Sequence, residues 1–242
     1  GHDESMRIIG VEVAGGTPVF SRVLQHGADP YRLAWERGYR IIRPLSVSGQ
    51  APDLAQTLQV ARHGRRINHR STPRTRPVDP GLELTPDVTP VVRQRLAAYA
   101  ITRSPLGILA TQLSDKTAVP GMWGLPGGGI DIGEAPAQAV VREVDEETGQ
   151  RLEISHLLDV QTDHWVGRSP AGLVEDFHAV RIIFAGRCAE PTTPVVHDVG
   201  GTTEAARWIP LSRWAALPWS SSARALLERH LQVVADAWRA AG

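Results

Sequence analysis

The sequence predicts an α/β protein, an α/β/α sandwich on a mixed sheet, preceded by a small α+β unit at the N-terminus. Three observations predict it: alternating apolar stretches recur on both sides of one short helical pattern, Pro136 and Gly149 bound that pattern, and an amphipathic stretch closes the chain. Strands flanking an internal helix, with a second helix at the end, bury their apolar faces by stacking helices on a sheet.

Residues 1–63 read as the small unit. RIIGVEVAG alternates and is rich in β-branched side chains, as a strand requires. Asp29-Pro30 then opens YRLAWERGY, a helix with proline in its first turn and Gly38 near its end. YRIIRPLSV and LAQTLQVARHG follow as paired strands on either side of a turn at Gly49–Pro52. Over residues 64–90 the periodicity fails. Arginines crowd RHGRRINHRSTPRTR and prolines follow it, which is the composition of a linker or an extended arm. A basic run is first of all solvated or paired with acids, so Arg65, Arg66 and Arg70 are expected to add little to phosphate binding; the sharper alternative is that some of these arginines reach over the site to hold phosphate.

Residues 91–242 are regular again and form the main domain. VVRQRLAAYAITRS is a short helix or a strand entering a hairpin with GILATQLSD, and Ser104-Pro105-Leu106-Gly107 is the turn. HLLDVQTDHWV and EDFHAVRIIFAGRC alternate as two strands around a loop at Gly167–Gly172. ARWIPLSRWAAL supplies a further strand and turn, and SSARALLERHLQVVADAWRAA is an amphipathic helix with a serine cap.

Composition excludes several classes. With 242 residues, 42% of them hydrophobic and 21% charged, the chain has ordinary globular composition and buries a core without staples. Its 26 basic and 26 acidic side chains cancel, which argues against a protein held to nucleic acid or an anionic membrane by bulk charge. Cys188 is the single cysteine, so no intrachain disulfide forms and a reducing cytoplasm is the expected compartment. No apolar run approaches the roughly 18 residues that span a bilayer, and no basic segment leads into an apolar one at the start.

The chemistry concentrates in WGLPGGGIDIGEAPAQAVVREVDEETGQ, residues 123–150. Its first half holds too many glycines for a helix and is a loop whose backbone can approach a ligand. The second half is a helix from Pro136 to a cap at Gly149. At about 100° per residue, Ala137, Val140, Val141, Val144 and Thr148 share a face expected to be buried, while Glu143, Glu146 and Glu147 occupy a separate arc. Like charges at these spacings repel, and Arg142 is the cation beside them. A divalent cation resolves the repulsion, and hard cations such as Mg²⁺ take oxygen ligands together with substrate phosphates. The bland alternative is an acidic, solvent-facing helix.

The spacing decides between them, because the segment resembles the Nudix box. Gly128, Glu134, Arg142, Glu143, Val144, Glu146, Glu147 and Gly149 fill its fixed positions, and Gln150 departs where an aliphatic side chain is usual. The resemblance extends over about residues 91–230 through Trp123-Gly124-Leu125-Pro126 and ARWIPLSRW, and leaves residues 1–90 uncovered. It implies hydrolysis of a diphosphate linkage in a nucleotide, with Mg²⁺ or Mn²⁺ held by Glu143, Glu146 and Glu147 and a loop carbonyl at Gly127 or Gly128. It also implies that Arg142 and Glu134 hold helix and loop in register. Gly127, Gly128 and Gly129 then form the backbone cradle for substrate.

An additional loop acid, recruited as ligand or general base, is sought in Glu204, with Glu175 and Asp176 as competitors. Trp165 is the candidate for stacking a nucleobase. His164 and His178 are expected to be structural or substrate-adjacent and not ligands, and Cys188 inert. The downstream proline of ADP-ribose enzymes is absent, with Trp165 and Val166 at its place. The resemblance thus implies a cytoplasmic, metal-dependent pyrophosphohydrolase acting on a small-molecule nucleoside diphosphate derivative of the ADP-ribose or nucleotide-sugar class. The alternatives are a nucleoside triphosphate pyrophosphohydrolase, acting on oxidised nucleotides among others, and a non-catalytic nucleotide sensor. A homodimer is expected through the N-terminal unit, with no nucleic-acid or membrane partner.

Overall fold

The computed structural model describes residues 4–64 and 77–241, with the backbone alone for 232–241. Arg65, Arg66 and Arg70, assigned above to the basic arm, lie outside the described residues. The described parts of the chain form two compact units, one from residues 1–97, 129–136 and 159–182, the other from 98–128, 137–158 and 183–242.

The first unit opens with β1 (Ser5–Val11) and β2 (Pro18–Val23), an antiparallel pair. The strand β2 escaped the sequence reading, because its six residues PVFSRV carry no sustained alternation between the flanking glycines and polar turns. The helix α1 (Pro30–Glu36) begins as its sequence demands. Asp29 caps it by accepting from the Tyr31 amide at 3.2 Å, and Pro30 fills the first turn. The strands β3 (Tyr39–Gln50) and β4 (Asp53–Arg62) pair antiparallel around the expected turn. Sheet order is β2-β1-β4-β3, with β1 and β4 parallel, so this sheet is mixed. Met6, Ile8, Leu54, Leu58 and Val60 lie on its buried face.

The remaining strands are β5 (Val91–Ser104), β6 (Gly107–Leu113), β7 (Trp123–Gly124), β8 (Gly127–Gly129), β9 (Glu153–Arg168), β10 (Val174–Arg187) and β11 (Thr203–Ile209). They form one sheet of order β11-β6-β5-β10-β9, with β7 on β6 and β8 on β5. VVRQRLAAYAITRS is therefore strand throughout, and Ser104 pairs with Gly107 across a two-residue turn. The helices are α2 (Pro136–Thr148) and α3 (Ser221–Ala241). Sheets that carry helices give the α/β class the sequence predicts.

In the second unit Ala223, Leu226, Leu227 and Leu231 present one helical face of α3 to Ile101, Ile108, Leu125 and Ile183 from the strands. The Ser220 hydroxyl caps α3 by accepting from the Ala223 amide at 3.3 Å. Among the described residues no helix is long and apolar enough to cross a membrane.

Candidate active site on the acidic helix

The helix α2 departs from its expected pattern in an informative way. Ala137 and Val141 are exposed, whereas Ala139, Val140, Val144 and Thr148 are buried, and Glu147 joins them at 7% exposure. The carboxylate arc is thus not separate from the buried arc. It overlaps it, because the 20° between Glu147 and Val140 implied by helical geometry is roughly the width of one side chain. Asp145, on the far side, is exposed.

The C-terminus of α2 is held by neighbouring backbone. Gly149, at φ +68°, donates to the Asp145 carbonyl at 2.8 Å, while the amides of Val195 and His197 reach the Thr148 and Glu146 carbonyls at 2.9 and 2.8 Å. These bonds satisfy carbonyls that a helix end leaves unpaired. Gln150 belongs to the same anchor. Its amide spans from the Thr148 carbonyl to the Thr192 hydroxyl, at 3.2 and 3.0 Å, and its Oε1 accepts from the Thr192 amide at 3.0 Å. A buried polar side chain so fully paired replaces the aliphatic residue usual at this position. Cys188 is buried beside it, and burial pushes its thiol pKa up.

Around Glu147 the site is built from three segments. Its Oε1 accepts from the Gly127 amide at 3.2 Å, and its Oε2 accepts from the Thr203 hydroxyl on β11. Loss of water is the main cause that pushes its carboxyl up from 4.5 to about 8. The Thr203 hydroxyl and Gly127 amide oppose that rise, while the Glu143 and Asp198 charges add to it. Arg142 bridges the other two acids, reaching Glu143 at 3.0 Å and Glu146 at 3.3 Å. Glu143 and Glu146 keep 18% and 43% of their side chains exposed, so the stripe runs from buried to open along a single helix face.

Two glycines permit close approach here, Gly127 to the neighbouring strand and Gly128 to an acid. Gly127 has φ +151°, and a Cβ there would lie 2.3 Å from the Ala98 carbonyl oxygen. A Cβ on Gly128 would fall 2.6 Å from the Glu143 carboxyl carbon, so only glycine lets that carboxylate close on the backbone, which here is the short strand β8 and not the loop its glycines suggested, because it pairs with β5. Gly129 lies against the Arg95 guanidinium. Glu134 accepts from the Asp131 amide at 3.0 Å, which closes the loop ahead of α2.

Glu204 is exposed at an irregularity where β11 loses register with β6, next to Thr203. Glu175 pairs with Arg93 at 3.1 Å, and Asp176 accepts contacts from His26 and His164. Trp165 is half-buried with its ring against Phe177, centroids 4.8 Å apart. His178 is fully buried between the Gln94 side chain and the Ala28 carbonyl, and burial pushes it down to about 4. Sequence reasoning missed Thr203 and Asp198, whose link to Glu147 exists only once β11 and its preceding loop have folded back on α2.

All donors here are oxygen atoms, Arg142 joins two of the carboxylates one helix turn apart, and the third is stripped of water. That donor set and the Gly128 cradle fit a hard divalent cation. The chain belongs to the NUDIX family, whose NUDIX domain model matches residues 93–230, more than half of its length. It is an enzyme of the Nudix pyrophosphohydrolase kind. It is 35% identical over 96 residues to the nucleoside triphosphatase NudI of an Enterobacter species, an alignment covering 38% of this chain and 68% of that one. It is 39% identical over 64 residues to YjhB of Bacillus subtilis, whose name carries a provisional ADP-ribose pyrophosphatase assignment, covering 26% and 29% of the two chains. The crystal structure of a MutT NUDIX hydrolase from Burkholderia pseudomallei covers 57% of this chain and 98% of its own, with 28% identity and a TM-score of 0.45.

Proposed function

We propose that the protein hydrolyses a phosphoanhydride bond of a nucleotide with the help of Mg²⁺ or Mn²⁺ held by Glu143, Glu146 and Glu147, with the Gly128 carbonyl as a further ligand. The observation that carries this is the convergence of three acids on one face of α2, one of them buried, beside β8, where Gly128 leaves room for the Glu143 carboxylate. A bound divalent cation neutralises charge on phosphate oxygens and lowers the pKa of an attacking water. Arg142 holds Glu143 and Glu146 in one orientation. Thr203 and the Gly127 amide hold Glu147 in another, so little reorganisation is left for the reaction itself. In this reading the amides of Gly128 and Gly129 face substrate phosphate while that of Gly127 is committed to Glu147, Trp165 offers a surface for a base, and Glu204 stays the candidate for an added acid.

Nucleoside triphosphates are the substrate class favoured by the NudI relatives, whose match is the longer one. Nucleoside diphosphate derivatives such as ADP-ribose, first in the sequence reading, are the second class, and the YjhB match supports them. Incubating the protein with both panels in Mg²⁺ and Mn²⁺ and resolving the products separates the two. Triphosphates would yield a monophosphate and pyrophosphate, and diphosphate derivatives two monophosphates. No turnover of either panel with either metal would overturn the proposal. The homodimer expected through the N-terminal unit is likewise proposed, and a monomer by light scattering at micromolar concentration would refute it.

A further inference from the structure

Within the first unit, three side chains from separate segments meet at one carboxylate oxygen. Asp176 on β10 is 8% exposed, and its Oδ1 lies 3.0 Å from His26 Nε2 and 2.5 Å from His164 Nε2. His26 comes from the loop between β2 and α1, and His164 from β9. The ligand atoms all lie within 4.8 Å of one another, and the histidine side chains are 26% and 23% exposed. We propose that His26, His164 and Asp176 form a second metal site, for Zn²⁺ or a cation of similar softness, separate in chemistry from the acidic helix.

The donor set argues for that class. Imidazole nitrogen suits zinc and its transition-metal neighbours, whereas Mg²⁺ takes oxygen. Tetrahedral zinc with bonds of about 2.0–2.1 Å holds its ligands roughly 3.3 Å apart. The two separations at Asp176 need to open by less than about 1 Å to reach that spacing. The two ring nitrogens already aim at one point, with ring planes 84° apart and centroids at 5.1 Å. Preorganisation comes from the surroundings. The His178 ring packs edge-on against both histidines at 5.4 and 6.0 Å, and is itself fixed by Gln94 and the Ala28 carbonyl. Gly27, at φ +78°, leaves room for His164, because a Cβ there would fall 2.7 Å from its Nδ1.

Three protein ligands leave a fourth position. His26 and His164 both line an open pocket of about 620 Å³ together with Arg22, Arg32 and Arg37, so a water or an anionic oxygen completes the shell from that side. The ion would tie the loop before α1 to β9 and β10.

The test uses the full chain after removal of metal by chelator. Calorimetric titration with Zn²⁺ in excess Mg²⁺ should show about one equivalent bound, and Co²⁺ should give the visible spectrum of a four-coordinate site. His26→Gln and His164→Gln should each weaken Zn²⁺ by more than about tenfold. The Glu146→Gln, Glu147→Gln double variant should keep it. Where a histidine variant fails to fold by circular dichroism, the near-isosteric Asp176→Asn is read instead and should show the same loss. The proposal is overturned if wild type binds no Zn²⁺ in excess Mg²⁺, if the substitutions leave binding unchanged, or if the double variant on α2 abolishes it.

Discussion

The hydroxyl of Thr203 donates a hydrogen bond to Glu147 Oε2, joining β11 to a helix residue 56 positions earlier in the chain. Together with the Gly127 amide it supplies the two donors that hold the buried carboxyl. Removing that hydroxyl strands Glu147 with one donor, and hydrogen bonds to charged groups contribute about 1.5–3 kcal/mol. Thr203→Val should therefore weaken Mg²⁺ activation by about tenfold or more, read as the metal concentration at half-maximal turnover.

Asp145 separates a metal stripe from a merely acidic helix. It projects about 100° or more from Glu143, Glu146 and Glu147 and is exposed, whereas Glu147 is buried. Glu146→Gln and Glu147→Gln should each lower turnover by orders of magnitude, because a neutral amide ligates a hard cation poorly. Asp145→Asn should stay near wild-type activity. Equal effects of all three would dismiss the stripe as the site.

Stability without metal should depend on pH through Glu147. The folded protein releases that proton at about 8 and the unfolded chain near 4.5, so between these values the folded state holds more protons. The stabilisation is complete below 4.5 and is lost as pH rises through about 8. In chelator, the melting temperature of Glu147→Gln minus that of wild type should grow across this window. A constant difference would show that Glu147 titrates normally.

Gln150 makes an opposite kind of test. Replacing it with Leu restores the residue type usual for the motif but leaves the Thr192 amide and hydroxyl without their partner. Thr192 is exposed, so water replaces the lost partner, and denaturant unfolding should show the loss of ordinary hydrogen bonds, about 0.5–1.5 kcal/mol. Unchanged or higher stability would mean that the apolar side chain repacks without penalty.

Much of this protein is determined locally and so is legible in one dimension. Pro136 and Gly149 set the ends of α2, Asp29-Pro30 starts α1, and the alternation of β3 and β4 requires a paired sheet, because each signal acts through backbone sterics or nearest-neighbour periodicity. The fixed spacing of Glu143, Glu146 and Glu147 places them on one helix face whatever surrounds it. What that face meets was decided only in three dimensions. Helical spacing could not show that Glu147 would be buried under Thr203, since a residue's loss of water depends on strands far along the chain. The meeting of His26 with His164 and Asp176 is of the same kind: 150 residues separate His26 from Asp176, and no periodicity reaches across that distance. Local conformational preference is short-ranged, whereas desolvation and the convergence of donors arise from packing, and packing exists only in the folded chain.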